Sequence, residues 1–455
     1  MHLTLLNILQ DSAGEWRGPQ TSLTQPIQRV ATDSRTVQAG DLFFALVGEK
    51  YDGHQFVPEV LARGALAAVV HRSWFASHAQ VDKLVVVPDP LVAFQESAAA
   101  YRRRFDIPTV AITGSAGKTT TKEMTYSVLC QKYRVLRNRK SFNNHIGVPI
   151  TLFELQPEHD LLVAELGANH FGELDRLSYL VEPSVVVLTN IGHAHLQFFG
   201  DLEGVRRAKF EIFNHCRPGA MAIYHADDAM LAGSKLPLDA CFSYGLGATA
   251  DLRAEVLGCD EKACYRFKVL DRVVRLQVPG RHNIVNALAA AAVGVQFHLS
   301  ADEIASGLES FTAVDQRMQV ISFGGMTLLN DTYNANPASC AAALSTLQDF
   351  KHPTGRLIAV LGDMLELGAY TEPEHQRLAD LCAAAQVDAL YLYGTHTAHT
   401  YARAKEVGRF EVFYFTDKAQ LLESLMSYLR PEDVVLFKGS RGMRMESLAA
   451  DLLQQ

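Results

Sequence analysis

Ile112-Thr113-Gly114-Ser115-Ala116-Gly117-Lys118-Thr119-Thr120-Thr121 closes an apolar run that begins at Ile107 and passes straight into a turn of small residues. The pattern predicts a buried strand, a tight loop and a helix starting at the Lys-Thr-Thr triplet. Gly114, Ser115, Ala116 and Gly117 are small enough for the backbone to curl close to phosphate oxygens. N–H groups at the new helix N-terminus, those of Thr119 and Thr120 among them, point at the anion. Lys118 supplies a point charge for β- and γ-phosphates, and the Thr119 hydroxyl suits the Mg²⁺ that travels with ATP. The common form G-x-x-x-x-G-K-[ST] would need Gly at position 112, where the chain has Ile; the spacing here is a tighter G-x-x-G-K-T. A glycine-bearing turn that merely carries a lysine is the plain alternative, and the strand before and helix after argue against it.

Length and composition set the frame around this loop. At 455 residues one core is too few, and about three domains are expected. Hydrophobic content of 48% and charged content of 20% are those of a folded soluble chain. A net charge of −8 offers no general basic surface for nucleic acid. The seven cysteines are scattered without a C-x-x-C pair, which predicts reduced thiols in a cytoplasm. Met1 to Leu6 lacks a basic and then apolar signal-peptide pattern. The richest apolar run, Ala287 to Val295, is too short to cross a bilayer, so no membrane insertion is expected.

The chain reads as an α/β protein of three domains: 1–106, 107–314 and 315–455. In the first, strands are expected at 41–46, 65–70 and 84–87, with helices at 57–63 and 92–105. Pro88 and Pro90 read as punctuation before the second helix. The central domain should carry a mainly parallel buried sheet, with strands at 107–112, 160–165, 184–189 and 220–224 separated by helix-length segments. Helices are expected at 283–297 and 301–308, the latter with Ser300 as N-cap and Glu303 three residues on. The last domain repeats the alternation, with strands at 356–361, 389–393, 412–415 and 434–438 and helices at 338–347, 374–385 and 419–429. It is Rossmann-like but has no G-x-G-x-x-G after its first strand. The segment 311–316 is the expected hinge.

Ligands of open α/β sheets gather at the carboxyl ends of strands. Glu165 ends one central strand, and His195 lies just past another. Thr119, Glu165 and His195 are therefore candidates to converge on one metal, with Glu165 the natural oxygen ligand for Mg²⁺ and His195 a less typical one. Further on, Asp331-Thr332-Tyr333-Asn334-Ala335-Asn336-Pro337 directly follows the apolar strand 326–329. An Asx-rich turn with Pro337 opening a helix accounts for part of this set but not for Asp331 and Tyr333. Lys209, in Arg206-Arg207-Ala208-Lys209-Phe210-Glu211, reads by itself as one charge on the basic face of an amphipathic helix.

Taken together these segments resemble the Mur ligases, the ATP-dependent amide ligases of bacterial peptidoglycan assembly, over essentially the whole chain. The resemblance rests on Thr113 to Thr120, Glu165, His195, Lys209 with Glu211, the stretch His282-Asn283-Ile284-Val285-Asn286-Ala287-Leu288-Ala289-Ala290, and Arg317. It implies that Lys118, Lys209 and His195 are catalytic. It also implies a carbamylated Lys209 helping to hold a second Mg²⁺, with Thr119, Glu165 and His195 as the other metal ligands. The nucleotide would be contacted by the loop Gly114 to Thr120 and by Asn283, Arg317, Asp331, Tyr333 and Asn336.

Three stretches of the last domain, Asp331 to Ser339, Val360 to Gly368 and Lys438 to Arg441, resemble one branch of the family. That branch joins D-alanyl-D-alanine to UDP-N-acetylmuramoyl-tripeptide. The D-x-P-R-type motif of the ligase that adds the third residue is absent. Asp33-Ser34-Arg35 and the stretches 40–46 and 51–54 imply a UDP-binding first domain. Ser34, Arg35, Asn143, Asn144 and Asn334 are the implied substrate contacts. The resemblance further implies a monomer in the bacterial cytoplasm. Diaminopimelate and lysine both stay open as the third residue of the tripeptide. The rival readings are another ligase of the superfamily, such as one extending a folate glutamate tail, and a non-catalytic nucleotide-binding partner. A GTPase is weaker, because no N-K-x-D motif is present.

Overall fold

The computed structural model describes residues 3–48, 51–350 and 355–454. Its strands form four sheets. The first has five strands in the order Glu15–Arg17, Leu84–Val87, Ala67–His71, Leu42–Phe44, Val30–Ala31. All pair in parallel except Glu15–Arg17 at one edge. The helix expected from 92 begins two residues earlier, at Pro90, and runs to Arg102. Asp89 caps it by accepting from the Leu91 and Val92 N–H groups, and Pro90 occupies the first turn, where its missing N–H costs nothing. Pro90 thus opens the helix rather than closing the strand.

The second sheet is wholly parallel. Its seven strands run Leu252–Arg253, Ala240–Gly245, Met221–His225, Val185–Leu188, Thr109–Thr113, Leu161–Glu165, Val135–Arg137. The strand Thr109–Thr113 sits inside it, buried on both faces, which is why its sequence is an unbroken apolar run between threonines. Lys118–Leu129 and the Ala-rich His282–Gln296 pack together over one face. The capping box at Ser300 forms as read, with Glu303 returning to the Ser300 N–H.

A three-stranded antiparallel sheet, Glu255–Cys259, Cys264–Val269 and Arg272–Pro279, was not anticipated. Its signal is present in Val274, Leu276 and Val278, which alternate with Arg275 and Gln277 and turn alternately inward and outward.

The last sheet orders Gln319–Phe323, Met326–Asp331, Val434–Lys438, Leu357–Gly362, Ala389–Tyr393, Glu411–Phe415. It is parallel apart from the opening hairpin, whose two-residue turn is Gly324-Gly325, both at positive φ. Separate apolar clusters cover its two faces, around Leu329, Leu361 and Leu390 on one and Val360, Tyr391 and Phe437 on the other.

The core is not divided where the chain leaves the first sheet for the second. One cluster runs from Phe44, Phe94 and Tyr101 into Phe153, Leu162 and Leu188. The Phe94 and Tyr101 rings lie 5.7 and 5.9 Å from that of Phe153. Arg102, wholly buried, fastens the seam by donating to the carbonyls of Val181 (3.2 Å), Phe105 (2.7 Å) and Ile107 (2.9 Å) and to the Thr109 hydroxyl (2.8 Å). All seven cysteines are free. Among the described residues no helix is long and apolar enough to cross a membrane.

Candidate active site

The carboxyl ends of the central strands open into a cleft of about 970 Å³ walled on its far side by the last sheet. The phosphate loop forms its floor. Gly114 sits at φ +147°, and a Cβ there would lie 2.0 Å from the Thr189 hydroxyl. Gly117 starts the helix at φ +79°, with the Asn286 side chain 2.6 Å from any Cβ. Both positions demand glycine.

The loop is held from the next strand end. The Asn190 side chain accepts from the Ala116 N–H (2.9 Å) and donates to the Ala116 carbonyl (3.0 Å), and the Thr189 hydroxyl donates to that same carbonyl (2.7 Å). Ser115 exchanges bonds with Gly192 at 2.9 and 3.0 Å. Sequence reasoning did not single out Thr189 and Asn190, although they sit at the strand end where such contacts are made.

Lys118 is half-buried rather than on an open turn, and its ammonium donates to the Gly114 carbonyl at 2.7 Å. Burial pulls its pKa down to about 8, against the opposing pull of Glu165 and with the help of Arg317. Glu165 is 1% exposed. Its carboxylate accepts from the Thr119 hydroxyl (2.8 Å) and from the Asn143 amide (2.7 Å).

Lys209 is not a solvated face charge: it is 1% exposed, donates to the Ala168 carbonyl at 3.2 Å and lies 5.6 Å from the Phe199 ring centre. Burial, and then repulsion from Lys118, bring its pKa to about 7. Burial thus shifts the amine toward its uncharged form.

The hard oxygens of Thr119 and Glu165, joined at 2.8 Å, fit a magnesium site. A caged metal centre is not preformed: among the described residues no three His, Cys, Asp and Glu side chains are grouped to hold an ion. His195 lines the cleft but turns its Nδ1 to Glu366 of the last sheet's unit, 2.5 Å away. His193 pairs in the same way with Glu374 at 2.6 Å, and the Gln197 N–H meets the Glu366 carbonyl at 3.0 Å. These contacts clasp the central and last units together. Of these residues only His195 was legible as a site residue.

From the far wall, Arg317 lies over the Tyr333 ring (4.1 Å to its centre) and Arg441 flanks the same ring at 5.5 Å. Asn336 caps the helix Pro337–Asp349 and reaches the Ser115 carbonyl at 3.4 Å, touching the phosphate loop directly. Asn334 accepts from the Arg441 N–H at 3.2 Å. Asp331 has both oxygens engaged by protein: one accepts from the Met318 N–H (3.1 Å), the other from the Lys438 ammonium (2.5 Å). Asn283 is buried, bonded to the Pro279 carbonyl at 2.7 Å and to Asn286 at 2.9 Å. Asn143 and Asn144 line the cleft. Ser34 and Arg35 do not; they lie on the first unit, where Arg35 is largely exposed and pairs with Asp33 at 2.7 Å.

This architecture matches known proteins along its whole length. The family descriptions that fit are the Mur ligase family catalytic domain at residues 26–107, the Mur ligase middle domain at 112–294 and the Mur ligase glutamate ligase domain at 316–441. The UDP-N-acetylmuramoyl-tripeptide–D-alanyl-D-alanine ligase of Bacillus subtilis is 34% identical, over 99% of this chain and 98% of its own. The crystal structure of MurF from Acinetobacter baumannii superposes with a TM-score of 0.89 at 34% identity, covering 99% of each chain. MurF ligase from Thermotoga maritima, solved in complex with ADP, gives 0.84 at 27% identity, covering 94% of this chain and 97% of that one.

Proposed function

The chain belongs to the Mur ligase family, and we propose that it is the ligase that adds D-alanyl-D-alanine to UDP-N-acetylmuramoyl-tripeptide at the expense of ATP. The carrying observation is one cleft in which the phosphate loop and Glu165 face Arg317, Tyr333, Asn334 and Asn336, with Lys209 buried behind the wall at Ala168. A nucleotide and an acyl substrate bound there would meet under one roof. The full-length likeness to ligases named for this reaction supports the substrate choice. Residues 1–106, 107–314 and 315–455 are the proposed UDP-binding, ATP-binding and closing units.

In this reading the Gly114 to Thr120 backbone and Lys118 hold the ATP phosphates. Arg317 reaches them from the opposite wall, and Tyr333, Asn336, Asn283 and Asp331 frame the rest of the nucleotide. A carboxylate oxygen of the tripeptide attacks the γ-phosphorus, the bond to ADP breaks, and an acyl phosphate forms. The dipeptide amine then attacks the acyl carbon, gives up a proton, and phosphate leaves with the electron pair of the broken C–O bond. Asn143, Asn144 and Asn334 position the acyl substrate, while Ser34 and Arg35 receive the UDP end, away from the chemistry. Closure of the last unit through the His193 and His195 contacts keeps water from the acyl phosphate.

Thr119, Glu165, His195 and carbamylated Lys209 are the proposed ligands of two Mg²⁺ ions, which when bound neutralise charge developing on the transferring phosphoryl group. The uncharged Lys209 amine is the form that adds to carbon dioxide, and burial and Lys118 favour that form against the opposing pull of Glu173 and Glu211. The enzyme is proposed to act as a monomer in the bacterial cytoplasm, without nucleic-acid or membrane partners.

The test is phosphate release from ATP with UDP-N-acetylmuramoyl-tripeptide, with and without D-alanyl-D-alanine, and with a folate substrate in competition. Release that needs both substrates, with the amide product found by mass, is expected. Release driven by folate, or none with either, rejects the assignment.

A further inference from the structure

Lys122 follows Lys118 by four residues on the same face of the phosphate-loop helix. No part of its side chain reaches solvent. A lysine so buried is uncommon unless its charge is paired. It donates to the backbone carbonyls of Asn138 (2.7 Å) and Lys140 (2.8 Å) and forms an ion pair with the Glu123 carboxylate (2.9 Å). The two carbonyls open the segment 138–144, which carries Asn143 and Asn144 into the cleft.

Asn138 is equally dry. Its side-chain oxygen accepts from the Glu165 N–H (2.9 Å), and its amide donates to the Glu165 carbonyl (3.0 Å) and to the Phe142 carbonyl (2.9 Å). The backbone ladder between Val135–Arg137 and Leu161–Glu165 ends at Arg137 opposite Val163. The Asn138 side chain takes over where that ladder stops. Asn143 completes the circuit, holding the Glu165 carboxylate at 2.7 Å while its own carbonyl accepts from the Gly167 N–H at 2.8 Å.

We propose that Lys122 and Asn138 are positioning residues that tie the segment 138–144 and the Glu165 backbone to the phosphate-loop helix. Neither touches a reacting atom. The amine sets where the segment leaves the helix, and the amide sets the direction in which Glu165 presents its carboxylate. Acyl substrate and γ-phosphate are thereby held in one frame. This rests on the reading of the cleft as a ligase site. A buried amine that only closes a loop would make the same bonds, so kinetics and loop protection must separate the two.

Asn138→Asp keeps the size and the acceptor but turns an oxygen toward two carbonyls. It should lower kcat and raise KM for the UDP-tripeptide about tenfold, with a smaller rise in KM for ATP. Lys122→Met keeps the stem and removes the donors. Trypsin, which cuts after the exposed Arg139 and Lys140, should nick the folded variant about tenfold faster than the parent. The digestion needs no substrate, so it reports on the tether even if the parent shows no ligase activity. Failure of the parent's phosphate release would reject the functional reading alone.

The proposal is overturned if both KM values hold and lost activity follows lost folded protein. It is equally overturned if Lys122→Met resists trypsin like the parent. Should that variant not fold, Lys122→Arg undergoes the same digestion, because a planar fork cannot meet three acceptors placed for an ammonium. Parental resistance there also overturns it.

Discussion

The charges at the floor of the cleft differ in what they are there to do. Lys118 bonds only to its own loop and packs no core, so Lys118→Ala should leave the melting curve unchanged. Its kcat should fall on the order of a hundredfold or more, the usual cost of one preorganised charge at a transition state. Lys209 lies deeper, and its assignment turns on sign. Lys209→Ala should lose activity and regain part of it when a small carboxylic acid is supplied to fill the vacated place. Lys209→Arg should stay inactive, because a guanidinium keeps its positive charge. A fully active Lys209→Arg would return the residue to a structural role.

His282 gives the pH signature. Burial lowers its pKa from 6.5 to about 4. Between those values the unfolded chain binds more protons than the folded one, so stability is lost as pH falls through that window. Relative to His282→Gln, the parent should lose on the order of 2 kcal/mol between pH 6.5 and 4 and nothing above it, as read by denaturant unfolding. The phosphate loop and Glu165 could be named from sequence because the chemistry needs those residue types, whereas Lys209 was singled out only by the family resemblance. The partners that hold the loop and Glu165, Asn190 and Asn138, could not. Each is an ordinary polar residue until the fold brings it across.

Among the elements, the helix Pro90–Arg102 belongs to two bodies at once. It covers the first sheet and also packs against Gly147–Phe153 and Glu173–Val181 beyond the second. A fragment ending at 106 would strip the Phe153 side from Phe94 and Tyr101, at a cost of up to about 2 kcal/mol for each. That fragment should therefore fail to fold cooperatively, whereas 315–455, with apolar clusters on both faces of its own sheet, should melt as a unit. Thermal unfolding by circular dichroism checks both, and a cooperative melt of 1–106 would mean that the shared core is dispensable. The strands Leu84–Val87, Ala389–Tyr393 and Val434–Lys438 fall residue for residue where the sequence places them, because a run buried on both faces admits no polar interruption. The start at Pro90 and the antiparallel sheet 255–279 escaped for opposite reasons. A proline serves equally as a terminator and as a first helical residue, and a half-exposed strand rich in arginine looks like surface.

At the scale of the whole molecule, function depends on bringing two sheets to one cleft. Carboxyl strand ends of the central sheet supply the phosphate loop and Glu165, and the last sheet supplies Arg317, Tyr333 and Asn336. The pairs His193–Glu374 and His195–Glu366 and the Asn336 contact with Ser115 hold that arrangement. Nothing in a single sequence announces such pairs, since their members lie far apart along the chain. The central claim is that this closed cleft activates a carboxylate by phosphorylating it. The most direct measurement follows the oxygen. With UDP-N-acetylmuramoyl-tripeptide carrying ¹⁸O at both oxygens of its terminal carboxylate, turnover with ATP and D-alanyl-D-alanine should release phosphate bearing one ¹⁸O for each amide formed. Amide formed with unlabelled phosphate would contradict the account, because the carboxylate oxygen would then never have been joined to phosphorus.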